Sequence, residues 1–225
     1  MLPTFRDRGE DALAVAAEAE RAGLDGVFAF DHLWPMGSPT RPALAPFPVL
    51  AAVAARHTTL TLGPLVVRVG NLGTDELVGR YATLSALAPG RVIAALGTGD
   101  ELSKAEQVAY DLGYPTPDER REFVLDAAQR LLPTMPVWIG AGAEKTNDLA
   151  RQLGATLNLW GVAPDRVREL GGEGPVSWAG PLAEDPRATL SALADAGATW
   201  AVASESSQID QLKEWRQSSS NHYGL

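Results

Sequence analysis

The 225-residue chain has no cysteine, which excludes both a disulfide framework and thiolate chemistry. Its three histidines, His32, His57 and His222, lie far apart without metal-ligand spacing, so no metal site is expected. Positive charge is also scarce: 19 Lys and Arg stand against 28 Asp and Glu, a formal net charge of −9. That balance repels phosphate backbones and anionic lipid heads, so nucleic acid and membrane are not expected partners. A small anionic cofactor remains possible, because a local site can oppose the global sign. No apolar run approaches the roughly 18 residues of a membrane span. Arg6, Asp7, Arg8, Glu10 and Asp11 interrupt the stretch where a signal peptide would sit. A cytoplasmic location is the default expectation.

Hydrophobic residues make up 45% of the chain and charged residues 21%, enough for a sizeable core beneath a polar surface. Short apolar runs alternate with longer amphipathic ones, the pattern of parallel strands covered by helices. Strands are expected at residues 27–30, 60–69, 91–96, 136–140, 156–160, 176–178 and 199–203, with a stub at 2–5. Eight strands favour an α/β fold of the closed (β/α)8 TIM-barrel type over an open sheet. One domain is expected over residues 1–217, followed by a polar tail at 218–225. Helix starts are legible in several places. Thr116-Pro117-Asp118-Glu119 has a cap, a first-position proline and a glutamate three residues past the cap. Ser103 and Glu106 repeat that spacing, Asp185-Pro186 opens another helix, and Thr74 with Asp75 and Glu76 opens the helix carrying Leu77, Tyr81, Leu84 and Leu87. The alanine-rich helix at 11–22 stops at Gly23, which suits a left-handed cap.

In such barrels the chemistry sits on the loops that follow the strands. Here those loops hold Asp31, His32 and Trp34, then Gly97, Thr98, Gly99 and Asp100, then Gly140, Ala141, Gly142 and Ala143, then Trp160 and Trp178. Imidazole is the usual proton carrier near neutral pH, which singles out His32. Gly-Ala-Gly ahead of a helix leaves backbone N–H groups for an anion such as phosphate, although the same glycines also serve tight turns. The indoles of Trp34, Trp160 and Trp178 suit a flat ring or an apolar substrate, or simple rim packing. His57 lies at the opposite face and reads as structural. Lys104 and Lys145 read as solvated.

The stretches Ala22-Gly23-Leu24-Asp25-Gly26-Val27-Phe28-Ala29-Phe30-Asp31-His32, Leu62-Gly63-Pro64-Leu65-Val66-Val67, Leu96-Gly97-Thr98-Gly99-Asp100 and Pro136-Val137-Trp138-Ile139-Gly140 resemble the luciferase-like monooxygenase superfamily, and within it the coenzyme F420-dependent branch. The resemblance implies an oxidoreductase that moves a hydride between the deazaflavin F420 and a small organic substrate. His32 would then be proton donor or acceptor, and Asp31 would orient it or touch the ring. It also implies a cis peptide at Leu65–Val66 under the ring, a cofactor-contact loop over Gly97, Thr98, Gly99 and Asp100, and phosphate binding at Gly140, Ala141, Gly142 and Ala143. FMN with monooxygenase chemistry, and a non-catalytic flavin-binding relative, are the alternatives. Relatives usually carry an insertion where only Pro133-Thr134-Met135 stands, and some place a tryptophan where Met36 stands. Their first strand is longer than the stub here, so this chain has a weak first strand or lacks residues ahead of it. A more open mouth and a possible homodimer follow from those departures.

Overall fold

The computed structural model describes the chain except Arg6, Asp7, Met36, Gly37, Thr40, Pro42, Gly224 and Leu225, and except the side chains of Leu102 and residues 219–223. In chain order the helices and strands are α1 (Gly9–Arg21), β1 (Gly26–Ala29), α2 (Pro46–Ala54), β2 (Thr61–Pro64), β3 (Val67–Arg68), α3 (Thr74–Leu87), β4 (Ala94–Gly97), α4 (Lys104–Ala109) and α5 (Pro117–Leu131). Then follow β5 (Val137–Gly140), α6 (Glu144–Leu153), β6 (Thr156–Trp160), α7 (Pro164–Gly171), β7 (Val176–Gly180), α8 (Pro186–Asp195), β8 (Ala198–Ala203) and α9 (Ile209–Tyr223). All ladders are parallel: β1 pairs with β2, and β3 through β8 pair in sequence order. Leu62 bridges to Val92, which joins the two groups of strands. Between β8 and β1 the first residues make two bonds, Leu2 N to Phe28 O at 2.7 Å and Met1 N to Ala203 O at 2.6 Å. This is the (β/α)8 barrel the alternation implies.

Side-chain alternation along each strand divides the core in two. Phe28, Leu65, Ile93, Ala95, Trp138, Ala179 and Val202 fill the barrel interior, with Val66 and Trp200 packed against them. Their neighbours in sequence, such as Val27, Ala94, Ile139 and Trp178, pack outward against the helices. Phe28, Trp138 and Trp200 form an aromatic cluster with centroids 5.4–6.0 Å apart. Wide rings in a few interior positions fill the space left by small inward residues such as Ala95 and Ala179.

The cap at Thr116 with Glu119, the one at Asp185, and the left-handed Gly23 with φ of 73° all form as the sequence implies. Four expectations change. The stub at 2–5 forms no strand, because only Met1 and Leu2 reach strand partners. The run at 60–69 is two strands, broken where the Leu65–Val66 peptide is cis. Leu87 ends half exposed, outside the buried face of α3 formed by Leu77, Tyr81 and Leu84. The polar segment beginning at Ser218 continues α9 to Tyr223 instead of forming a separate tail, since each serine added to an existing helix gains a backbone bond at small propensity cost. Met36 lies outside the described residues. Among the described residues no helix is long and apolar enough to cross a membrane.

At the amino-terminal face, His57 Nδ1 meets Glu20 Oε2 at 2.7 Å, and Thr59 Oγ1 donates to Glu20 Oε1 at 2.7 Å. These bonds, the His57 one foremost, lower the Glu20 carboxyl from 4.5 to about 2. A depressed carboxyl stabilises the fold above its unfolded value and loses that contribution as pH falls through the folded one. Glu20→Gln is therefore expected to lower the melting temperature above about pH 4.5, with the gap to the wild type closing as the pH is taken towards 2. Thermal unfolding across that range checks it.

Candidate active site

The exits of β1 to β5 meet at the carboxyl-terminal mouth of the barrel. Asp31 and His32 follow β1. The backbone N–H of Arg68, at the end of β3, donates to Asp31 Oδ2 at 2.9 Å, and its Nη2 donates to the Asp31 carbonyl. The same guanidinium reaches across to Glu106 Oε2 at 3.0 Å, and Glu106 Oε1 accepts from His32 Nδ1 at 2.8 Å. Glu106 Oε2 also takes the Leu33 N–H at 2.9 Å. One arginine thus holds two carboxylates, Asp31 through its backbone N–H and Glu106 through its guanidinium, and Glu106 in turn holds the imidazole.

Burial decides the electrostatics. The Glu106 side chain is 3% exposed and that of Arg68 6%, against 24% for His32. Burial alone would raise Glu106, but the Leu33 N–H, the His32 ring and the Arg68 charge outweigh it and hold the carboxyl below its ordinary value. For Asp31 burial wins: its carboxyl is raised, with the Arg68 N–H and charge offsetting only part of the cost. An ionised carboxylate only accepts hydrogen bonds, so a neutral His32 carries its proton on Nδ1 and leaves Nε2 as the basic atom. That is the tautomer a proton carrier needs, fixed from behind by a buried acid.

The glycine loops close on the same place. A Cβ on Gly97 would lie 2.4 Å from Val66 Cγ2, and one on Gly140 would lie 3.5 Å from the same methyl. Val66 therefore lies directly over the ends of β4 and β5, and only glycine at 97 permits it. A Cβ on Gly99 would be 3.8 Å from the Arg68 side chain, which ties the β4 exit to the charged network. Gly97→Ala is expected to push Val66 out of place at a cost of about 1–3 kcal/mol. Val66→Ala in the same chain should recover most of it. Melting temperatures of the single and double variants decide the point.

Beyond β5, the amides of Ala141 and Gly142 are engaged inside the protein, by the Asn158 carbonyl at 2.8 Å and Asn147 Oδ1 at 3.2 Å. That leaves the start of α6, whose cap residue Ala143 offers no side-chain acceptor to its first amides. Asp100 caps the short helical turn at Glu101–Ser103, with Ser103 N donating to Oδ1 at 2.8 Å. Thr98 Oγ1 bonds the Gly99 carbonyl at 3.3 Å, within the same loop.

Aromatic residues line the other side of His32. Phe5 and Phe30 stack at 5.3 Å and lie 5.8 and 6.2 Å from the imidazole, and Phe30 meets Trp160 edge-on at 5.9 Å. Trp160 is half exposed at the mouth. Trp34 is buried against Tyr110 at 5.6 Å. Trp178 leaves the candidate pocket: it points to the helix layer, and its Nε1 donates to the Val162 carbonyl at 2.9 Å. Alternation along β7 gives Ala179 the inward position and turns the indole away. Lys104 and Lys145 are exposed and paired with Glu101 and Asp118.

Arg68 and Glu106 are the residues that sequence reasoning missed. Arg68 is the one charge inside the apolar run 60–69, and that misfit was the available signal. Glu106 has the spacing of a capping partner for Ser103, but Asp100 takes that role and frees the glutamate. In α4 the polar Glu106 and Gln107 are buried while Val108 is exposed, an inverted amphipathic pattern that marks a polar interior.

Comparison with known proteins agrees with this architecture. The family model described as luciferase-like monooxygenase matches residues 3–132. The F420-dependent glucose-6-phosphate dehydrogenase of Beutenbergia cavernae is 37% identical over 114 residues, 50% of this chain and 32% of that protein. The F420-dependent hydroxymycolic acid dehydrogenase of Mycobacterium tuberculosis is 33% identical over 105 residues, 46% of this chain and 29% of that protein. The chain spans about a third of the length of the curated relatives it matches. Among solved structures, an F420-dependent secondary alcohol dehydrogenase in complex with an F420-acetone adduct superposes with a TM-score of 0.75 at 16% identity, covering 92% of this chain and 94% of that one. The coenzyme F420-dependent tetrahydromethanopterin reductase of Methanopyrus kandleri gives 0.72 at 14% identity, covering 95% and 96%. With more than half of its residues under the family model and its whole fold matched, the chain belongs to the luciferase-like monooxygenase family.

Proposed function

We propose that the chain is an F420-dependent oxidoreductase of the cytoplasm, acting on a small organic substrate with His32 as the proton-carrying residue. The observation that carries this reading is the Glu106–His32–Arg68–Asp31 network: an imidazole at the mouth, oriented from behind by a buried acid. The names of the relatives support the same class of chemistry, since each is an F420-dependent dehydrogenase.

The residues present fit a flat ring carrying phosphate. Val66, seated on Gly97 and Gly140, makes a low floor with Leu65 beside it. Arg68 keeps Nε and Nη1 buried without hydrogen-bond partners, and α6 opens without a side-chain cap. Leu65 and Val66 would lie under the ring, with Gly97, Thr98, Gly99 and Asp100 along it. Ala143 and the first turn of α6, together with the glycine loop at 140–142, would face the phosphate. When bound, the deazaflavin supplies a two-electron hydride carrier. The protein's share is the rest. Glu106 fixes the His32 tautomer, His32 Nε2 gives or takes the proton at the substrate oxygen, and Phe5, Phe30 and Trp160 exclude water beside it. In this role the chain is read as a homodimer, which light scattering in solution tests.

Mixing the purified protein with F420 and a panel of small alcohols, aldehydes and sugar phosphates, and following F420 absorbance, tests the reading. Substrate-dependent change lost in His32→Ala supports it. No turnover with any substrate, or turnover only with FMN and oxygen, overturns it.

A further inference from the structure

Phe5, Phe30 and Trp160 stand beside His32 at the mouth, and alternation along two strands puts the latter pair there. Val27 and Ala29 pack outward while Phe28 fills the barrel interior, so Phe30 continues the inner face one layer higher. Leu157 and Leu159 likewise pack outward, which leaves Asn158 and Trp160 on the inner face of β6. Asn158 Nδ2 donates to Ser177 Oγ at 3.0 Å inside the barrel, and Trp160 tops that column with 50% exposure. Phe5 stacks on Phe30 at 5.3 Å, and Trp160 meets Phe30 edge-on at 5.9 Å. Both phenyl rings lie within 6.2 Å of the imidazole. A molecule whose oxygen meets His32 thus has aromatic faces within reach of its carbon substituent.

The charges at this mouth disfavour an anionic substituent. Asp31 and Glu106 share one arginine, whose side chain is only 6% exposed. Cations among the described residues around them are already engaged. Arg41 Nη2 donates to the Phe5 carbonyl at 2.9 Å, Lys104 Nζ pairs with Glu101 at 3.2 Å, and Lys145 Nζ with Asp118 at 3.8 Å. A phosphorylated substrate would carry its negative charge towards two carboxylates that outnumber their guanidinium. An apolar ring or chain instead gains by leaving water for the aromatic faces. We propose, on the reading of this mouth as an oxidoreductase site, that it selects an uncharged alcohol or carbonyl compound bearing an apolar ring or branched chain, and discriminates against phosphorylated substrates. In the oxidation, the carbinol carbon gives its hydrogen as hydride to the deazaflavin, and the hydroxyl proton goes to His32 Nε2. A C=O bond forms; the alcohol loses two electrons and the deazaflavin gains them. The apolar group lies against Phe30 and Trp160.

Cyclohexanol, 2-propanol and glucose 6-phosphate are the probes. With F420 in excess, kcat/KM for cyclohexanol is expected about tenfold or more above that for 2-propanol, since one methylene in an apolar pocket already carries discrimination of about that size. It should exceed that for glucose 6-phosphate by about 100-fold or more. Trp160→Ala should shrink the preference for cyclohexanol over 2-propanol about tenfold, mostly through KM. A merely structural loss would slow both alcohols alike and keep their ratio. A second readout needs no turnover. The indole N–H resonance of Trp160, identified by its loss in Trp160→Phe, should shift saturably with cyclohexanol and stay unmoved with glucose 6-phosphate, in the F420-loaded protein and in the chain alone. If Trp160→Ala fails to fold, the substrate ranking and that resonance on the unaltered chain decide. Turnover of glucose 6-phosphate as fast as that of cyclohexanol overturns the proposal and leaves an F420 oxidoreductase standing. An unmoved Trp160 resonance also overturns it. A saturable shift without turnover of any probe upholds the apolar site and removes the oxidoreductase reading.

Discussion

His32→Ala is expected to lower the proposed turnover with F420 by a factor of about 100 or more, while the Kd for F420 should change only a few-fold. General acid–base catalysis by a positioned side chain typically contributes 10²–10⁴-fold, which is the size of loss that the proposed role of the imidazole predicts. Its Nδ1 is committed to Glu106 at 2.8 Å, and its side chain keeps 24% exposure at the mouth. Glu106→Gln separates orientation from proton transfer. The amide removes the charge behind the imidazole and no longer enforces the Nδ1–H tautomer, so kcat falls while KM changes little. A role in packing alone would lower stability and leave kcat of the folded protein unchanged. Steady-state kinetics and thermal unfolding of the two variants make the distinction.

Arg68→Met is expected to destabilise the fold by about 3–5 kcal/mol, the usual cost of removing one partner from a buried ion pair. Asp31 and Glu106 both lean on this guanidinium, and their side chains are only 15% and 3% exposed. Without it, two carboxylates are left beside one another in a poorly solvated place. For a chain of this size the melting temperature should fall by roughly 10 °C. The loss is greatest above neutral pH and shrinks in acid, where the carboxyls take up protons; Asp31, already raised by its burial, takes one first. Arg68→Met combined with Glu106→Gln should be less destabilised than the sum of the single changes, as expected for neighbours in one network. Strict additivity would mean that the network contributes nothing as a unit.

The frame of the molecule was legible because barrel strands and helices carry different periods. Runs such as residues 156–160 and 136–140 could be read almost to the residue, and the caps at Thr116 and Asp185 formed from local chemistry alone. The cis peptide at Leu65–Val66 came from the family resemblance and not from composition. The network was harder to see. Nothing local ties Glu106 to His32, 74 positions away, and its spacing to Ser103 pointed to a cap. The error at Trp178 has a simpler cause: one residue's shift along β7 exchanges the barrel interior for the helix layer. Residues 2–5 misled because apolar character suggests a strand, while a strand needs a continuous ladder and only Leu2 among them bonds a strand partner.

Titration of the purified chain with F420, followed by the fluorescence of its deazaflavin, tests most directly whether the exits of β1 to β5 form one cofactor site. The account predicts saturable one-to-one binding, tighter than FMN, preserved in His32→Ala and weakened in Gly97→Ala. Absence of saturable F420 binding by a folded chain, or preference for FMN, would contradict it.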